Sequence, residues 1–180
     1  IRFIKDPDEL QGWTGMRKQV MTVSQSFMKR GEHLGYHLYE QVTHGFERKV
    51  YGLENENLQE VNGGVPSYEE LKDLYRQSRV CFYYGTQPAP YTLTFIEALM
   101  TGTPVVAVGP KLRDTNLYHW PQYEIPEIIE NGVNGYISDS IEDLRGYISL
   151  LLENDEVAQR IGAAGRETAI KLFDKKQRSL

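Results

Sequence analysis

The chain has 180 residues, with a hydrophobic fraction of 40% and a charged fraction of 25%, which is the composition of an ordinary globular protein. Its net charge of −5 argues against a general nucleic-acid or membrane-surface binder, because both of those surfaces are anionic. The single cysteine, Cys81, excludes an internal disulfide, and no apolar run is long enough to predict a transmembrane helix. We therefore expect a reducing, cytoplasmic setting. Because the chain begins at Ile1, we also expect a piece of a longer or processed protein.

The first 19 residues have no clear period and are interpreted as a lead-in or inter-domain segment, so the domain itself is expected over residues 20–180. Short apolar runs at residues 20–24 and 48–52 predict the first two strands. Between them, a polar, basic turn is expected at residues 26–35, followed by a helix with one apolar face.

Residues 53–64 are rich in Asn, end in a Gly-Gly pair and are interpreted as a loop. Ser67 and Glu70 then form a capping box, in which each side chain accepts a hydrogen bond from the other residue's backbone N–H. This pattern predicts a helix that ends near Gln77.

Residues 80–109 predict a strand, a loop, a short helix, a tight turn and a second strand. The loop at residues 85–91 contains Gly85 and two prolines, and Gly102 stands where a helix C-terminus favours a positive φ. A crossover this short predicts a parallel β-α-β unit, in which ligands bind at the carboxyl ends of the strands.

The remaining chain is expected to contain an irregular insert at residues 110–125, a short strand at residues 136–137 and two helices. His119 and Trp120 in the insert are interpreted as surface or inter-domain contacts. The helices are expected over residues 140–154 and 155–173, with Asp155 capping the second, and the charged tail is expected to fray. Strands and helices thus alternate, which predicts an α/β, three-layer, Rossmann-like domain with a mostly parallel sheet.

Residues 91–106 resemble the C-terminal, nucleotide-sugar-binding domain of retaining glycosyltransferases with the GT-B fold, the group of glycogen and sucrose synthases. Glu97 is followed by Ala, a bulky apolar residue, a small residue, Gly and x-Pro-Val, as in the family's pattern. Residues 23–31, 64–71 and 126–136 agree with further family segments in the same order. The sequence departs from the pattern at Ala89, where the family has a first Glu, and at Gln25, where it has Arg.

The resemblance implies a site for a nucleotide-diphosphate sugar. Arg30 and Glu97 would have the catalytic roles, Arg30 on the diphosphate and Glu97 on the ribose hydroxyls. The binding residues implied by the motifs are Gln25, Arg30, Gly31, Val65, Tyr91, Thr92, Leu93, Thr94 and Glu97. Thr92, Leu93 and Thr94 would act through the free N–H groups of a helix N-terminus.

Each of these residues also has a structural interpretation. Thr94 and Glu97 have the spacing of a second capping box, which would use the same carboxylate that a ribose would need. Lys29 and Arg30 could form a solvated basic turn, Val65 could belong to a plain connection, and aromatic residues such as Tyr91 are more often in a core.

By resemblance, the chain is expected to be the donor-binding half of a glycosyltransferase that retains anomeric configuration and needs no metal or other cofactor. The acceptor site would lie against an N-terminal domain, and without that domain the fragment is expected to be inactive. Two alternatives remain open: a catalytically lapsed module for interaction or scaffolding, suggested by Gln25 and Ala89, and a nucleotide-sugar epimerase.

Overall fold

The computed structural model describes residues 3–87, 89–113 and 123–178. Its centre is one sheet of six strands in the order β3-β2-β1-β4-β5-β6, and every neighbouring pair is parallel. The strands are β1 (Arg17–Val23), β2 (Arg48–Tyr51), β3 (Asn62–Gly64), β4 (Ser78–Tyr83), β5 (Val105–Val108) and β6 (Tyr136–Ser138). The chain builds outward from β1 to one edge and from β4 to the other, so the order reverses between these two central strands.

Eight α-helices connect or flank the described strands. They are α1 (Phe27–Arg30), α2 (Tyr36–Thr43), α3 (Tyr68–Gln77), α4 (Leu93–Thr101), α5 (Pro110–Arg113), α6 (Ile125–Ile128), α7 (Ile141–Glu153) and α8 (Asp155–Phe173). Short 3-10 helices span Gly31–Leu34, Glu56–Val61 and Lys175–Arg178. The capping box predicted at Ser67 begins α3, and Gly102 ends α4 with a φ of 92°, so both predictions are confirmed.

The central strands are buried on both faces, and their side chains alternate between two cores. Cys81 and Tyr83 of β4 pack into the core formed with α3 and α4, whereas Val80 and Phe82 pack into the core formed with α2 and α7. This arrangement of helix layer, parallel sheet and helix layer confirms the predicted α/β, three-layer, Rossmann-like fold.

Two segments that were expected to be irregular are ordered. The predicted turn at residues 26–35 contains α1 and a 3-10 helix, and the predicted loop at residues 53–64 contains a 3-10 helix and the edge strand β3. The Asn55 side chain explains part of this order, because it donates to the Ser24 carbonyl at 2.7 Å and accepts from the Phe27 N–H at 3.0 Å. Strand β3 has no apolar pattern, since two of its three residues are glycines.

The ends of the chain also differ from expectation. Asn154, rather than Asp155, caps α8, and Asp155 instead forms an ion pair with Arg79 at 2.7 Å. The tail does not fray up to residue 178: Lys176 pairs with Asp8 at 2.9 Å, and Lys175 contacts Asp6. Part of the predicted insert is helix α5, while His119 and Trp120 lie outside the described residues.

The segment before β1 is packed onto the domain. Strand β1 begins at Arg17, three residues before the predicted start of the first strand. Leu10 is only 1% exposed, the Trp13 indole donates to the Ser78 carbonyl at 2.8 Å, and the Arg166 guanidinium donates to the Pro7 carbonyl at 3.0 Å. Residues 3–16 therefore form a strap that is bonded across α3, β4 and α8. The segment 3–16 is called the strap below.

Candidate functional site

A cleft opens at the carboxyl edge of the sheet, between the ends of β1 and β4. This is the point where the strand order reverses, which is the usual ligand position in an open parallel sheet. The cleft encloses about 220 Å³. Its lining consists of Thr22, Val23, Ser24, Gln25, Phe27, Arg30, Leu34, Phe82, Tyr83, Tyr84, Gly85, Thr86, Thr92 and Thr94.

The described lining of the cleft carries positive charge and hydroxyl groups but no negative charge. Among the described residues along the cleft, Arg30 has the one charged side chain, and no residue has a carboxylate. The other polar groups are hydroxyls and the Gln25 amide. Such a surface favours an anion that also carries hydroxyl groups, because a guanidinium binds phosphate oxygens in a planar fork and hydroxyls either donate or accept.

Arg30 reaches the cleft from the last turn of α1. This helix is flanked by its N-cap residue Ser26, whose φ is 50°, and by its C-cap residue Gly31, whose φ is 43°. A Cβ at Gly31 would meet no atom within 4 Å, so the backbone conformation and not crowding is what favours glycine there. The side chains of Arg30 and Gln25 are exposed.

Helix α4 begins at the opposite side of the cleft. Its N-cap residue, Thr92, makes no side-chain cap. The Thr92 N–H instead donates to the Tyr83 hydroxyl at 2.9 Å, so that amide already has an acceptor. The first-turn amides of Leu93 and Thr94 follow, in the part of a helix where N–H groups have no intrahelical partner.

Glu97 lies beneath the cleft wall and not along the lining. It is 5% exposed, and both carboxylate oxygens are engaged: Oε1 accepts from Lys5 Nζ at 2.6 Å and Oε2 from the Tyr75 hydroxyl at 3.3 Å. The capping-box interpretation of Thr94 and Glu97 is therefore wrong, because α4 begins earlier and the carboxylate faces other partners. Although burial by itself lowers the pKa of Lys5, the hydrogen bond and charge of Glu97 outweigh it and hold that pKa above its ordinary value.

The remaining predicted residues lie around the cleft. Val65 is 59% exposed and lines a separate groove of about 600 Å³ beside α3, and Leu93 is 43% exposed. Tyr91 is buried, with its ring 5.5 Å from that of Phe173 and 6.3 Å from that of Phe3. The fold thus brings Gln25, Arg30, Thr92 and Thr94 together along one cleft. The predicted residues that lie outside its lining are Gly31, Val65, Tyr91, Leu93 and Glu97.

Two residues shape the cleft without having been singled out as site residues by the sequence. The Tyr83 hydroxyl accepts a hydrogen bond from the Thr92 N–H. Burial raises the pKa of this hydroxyl to about 12, so the hydroxyl is neutral near pH 7. Arg113 of α5 donates to the Tyr84 and Thr86 carbonyls, each at 3.0 Å, and so fixes the loop after β4. A tyrosine in an apolar strand resembles any core aromatic, and nothing in the sequence around Arg113 indicates its burial.

The described ranges also bear on metal binding and on membrane spanning. No three His, Cys, Asp or Glu side chains there are grouped so that they could hold a metal ion. None of the helices in those ranges is long and apolar enough to cross a membrane.

The fold is that of a Rossmann-like α/β domain, and sequence comparison makes the assignment more specific. A sequence model of the glycosyl transferase-like family matches residues 30–179, so the chain belongs to this family. A comparison with curated proteins finds no significant match.

Solved structures with the same fold include the C-terminal domain of a glycosyl transferase group 1 family protein from Francisella tularensis (TM-score 0.66, 11% identity), where 95% of this chain aligns with 99% of that one. Anabaena HepE, in complex with UDP and glucose, gives a TM-score of 0.68 at 16% identity over 98% of this chain and 55% of that one. Sucrose-phosphate synthase from Thermosynechococcus elongatus gives a TM-score of 0.67 at 15% identity, over 98% of this chain and 49% of that one. This chain thus spans about half the length of the last two proteins. The likeness establishes the fold, which is the predicted C-terminal half of a GT-B structure.

Proposed function

We propose that the chain is the donor-binding domain of a glycosyltransferase and that it binds a nucleotide-diphosphate sugar. The observation that carries the proposal is the cleft at the switch point of the sheet, with Arg30 as the one charged side chain among its described lining residues and no carboxylate there. A diphosphate is the part of such a donor that needs positive charge and repels negative charge. Membership of the glycosyl transferase-like family supports the same assignment.

The diphosphate would lie between Arg30 and the first turn of α4. Arg30 contributes a planar, permanently charged fork, and the helix N-terminus contributes N–H groups and the positive end of its dipole. In sugar transfer the nucleoside diphosphate is the leaving group, so the same charges would stabilise the negative charge that develops in the transition state. Gln25 would add a neutral hydrogen bond, and Gly31 would allow the chain to turn away from the phosphates.

The nucleoside would extend from the cleft toward α3. Val65 is exposed beside this helix and would present an apolar surface to the base, while Glu97 would accept hydrogen bonds from the ribose hydroxyls. Tyr91 would act from the core, by supporting the start of α4. The sugar would be transferred with retention of anomeric configuration and without a metal or other cofactor. The acceptor site would lie on a second, N-terminal domain.

Isothermal titration calorimetry with UDP, GDP and ADP tests the binding step. We expect the chain to bind at least one of these nucleotides, and Arg30→Ala to weaken that binding about tenfold or more, because a hydrogen bond between charged groups is lost. Lys29→Ala is the matched control, because Lys29 is an exposed neighbouring cation that does not line the cleft. Absence of binding to all three nucleotides, or equal losses in the two variants, would contradict the proposal.

Two observations favour the lapsed, non-catalytic alternative. The described lining of the cleft has no carboxylate, and Ala89 stands where related sequences are expected to have Glu. Such a domain would bind a nucleotide without transferring its sugar. An assay for sugar transfer by the longest available form of the protein distinguishes the two functions, since measurable transfer excludes the lapsed one.

A further inference from the structure

A chain of buried polar contacts connects the strap to the wall of the cleft. Lys5 Nζ donates to Glu97 Oε1 at 2.6 Å, and the Tyr75 hydroxyl donates to Glu97 Oε2 at 3.3 Å. Thr94, which lines the cleft, lies one helical turn before Glu97 in α4. Tyr75 is fully buried, Glu97 is 5% exposed and the Lys5 side chain is 20% exposed, so water has limited access to these contacts. The contacts that Lys5 and Tyr75 make with Glu97 are called the relay below.

The backbone of Lys5 is fixed at the other end of the relay. Its N–H donates to the Phe173 carbonyl at 2.8 Å, and its carbonyl accepts from the Lys175 N–H at 3.1 Å. The ammonium also lies 5.2 Å from the centre of the Tyr68 ring. Backbone pairing on one side and an aromatic face on the other leave the ammonium little freedom. The Lys5 ammonium is therefore fixed beside the Glu97 carboxylate.

Stability alone is a weak reason for this arrangement. Removing two charges from water costs about as much as their attraction returns, so an apolar pair of the same volume often stabilises a protein as well. What the ion pair does determine is the orientation of Glu97. Without Lys5, the carboxylate loses one of the two groups that hold its oxygens in place.

We propose that Lys5 is a positioning residue for the donor site, which holds the Glu97 carboxylate in one orientation so that its unused lone pairs can accept hydrogen bonds from the ribose hydroxyls of a nucleotide. A carboxylate has about four acceptor positions, and Lys5 and Tyr75 occupy two of them. The proposal rests on the proposed function, since it requires that the chain binds a nucleotide. It adds a residue from the strap, which lies 92 positions from Glu97 in the sequence.

The test compares the affinities of UDP and 2′-deoxy-UDP by calorimetry, for the unchanged chain and for Lys5→Met. If another nucleotide binds more tightly, that nucleotide and its 2′-deoxy form replace the pair. We expect the unchanged chain to prefer the ribonucleotide about tenfold, the value of one charge-assisted hydrogen bond. In Lys5→Met and in Glu97→Gln this preference should disappear, whereas Lys5→Arg, which keeps the positive charge, should recover most of it.

Lys176→Met is the matched control for the strap. It removes another lysine that joins the strap to the tail, through Asp8 at 2.9 Å, and it leaves Glu97 untouched. If the strap acts only by holding the fold together, Lys176→Met and Lys5→Met should have equal effects on the preference, and that result would overturn the inference. Circular dichroism confirms that each variant is folded before its affinity is compared.

If Lys5→Met does not fold, Tyr75→Phe replaces it. This change keeps the buried ring and removes the hydroxyl that donates to Glu97 Oε2, so Glu97 loses part of its fixed orientation and the ribose preference should fall in the same direction. Retention of the full preference in Tyr75→Phe would then overturn the inference. A chain that binds no nucleotide refutes the proposed function, whereas a chain that prefers the ribonucleotide both with and without Lys5 refutes only the role of Lys5.

Discussion

The two sides of the candidate donor site use charge in opposite ways. Arg30 is exposed on the cleft and makes no ion pair with a described side chain, whereas Glu97 is buried and bonded through both oxygens. An exposed cation in water costs little to leave unpaired, so it is available to a ligand. A buried anion has to be paired inside the protein first. A motif residue can therefore be present in the sequence and still depend on a partner that lies outside the motif.

The largest difference between the two sides should appear in stability. Glu97→Ala leaves the Lys5 ammonium and the Tyr75 hydroxyl without their acceptor, and we expect the free energy of unfolding to fall by about 3 kcal/mol. Glu69→Ala is the matched control: Glu69 pairs with Lys72 at 2.7 Å, but its side chain is 80% exposed, so the loss should stay below about 1 kcal/mol. Urea unfolding of both variants measures the two values, and similar losses would mean that burial does not distinguish the pairs.

The start of α4 should be the next most sensitive point. Tyr83→Phe removes the acceptor of the Thr92 N–H, and we expect a loss of about 2 kcal/mol in the free energy of unfolding, because a part-buried donor is left unsatisfied. Tyr147→Phe provides the comparison, since the Tyr147 hydroxyl accepts an exposed hydrogen bond from Asn131 at 3.3 Å. Thermal or urea unfolding that gives equal losses would show that the Tyr83 hydroxyl does not support the helix start.

Salt should act on the cleft and not on the relay. If the exposed Arg30 binds phosphate oxygens, raising the salt concentration should weaken nucleotide binding several-fold, because mobile ions screen exposed charges. In Arg30→Ala the affinity should be about tenfold lower and much less dependent on salt. Titrations at low and high salt measure how affinity depends on salt in the unchanged chain and in Arg30→Ala. Equal salt dependence in the two proteins would mean that Arg30 is not the phosphate contact.

The smallest effect is expected from the cap of α3, the helix that carries Tyr75. Ser67→Ala breaks the capping box, whose two hydrogen bonds are 3.2 Å and 2.7 Å long, and should lower the free energy of unfolding by about 1 kcal/mol. The box is exposed and outside the cleft, so nucleotide affinity should not change. A loss of affinity together with stability would indicate that the relay is sensitive to small movements of α3.

Local patterns accounted for much of the fold. The Ser67 box, the positive φ of Gly102 and the apolar runs of β4 and β5 depend on residues a few positions apart, so the sequence alone predicts them. Strand β3 was not predicted because two of its three residues are glycines, which give no apolar pattern. It is the edge strand of the described sheet, and its extended form depends on pairing with β2. The cap of α8 was shifted by one residue because Asn and Asp are both good caps.

By itself, the sequence determined the alternation of strands and helices, the parallel sheet, the residues that lie at the carboxyl edge of the sheet and the family resemblance. These follow from short-range periodicity, turn chemistry and motif order. Only the tertiary structure decided the partners of the polar groups: Lys5 for Glu97, the Tyr83 hydroxyl for the Thr92 amide, and the loop carbonyls after β4 for Arg113. The physical reason is that a buried polar group must find a partner wherever the fold provides one, and that partner can be far away in the sequence.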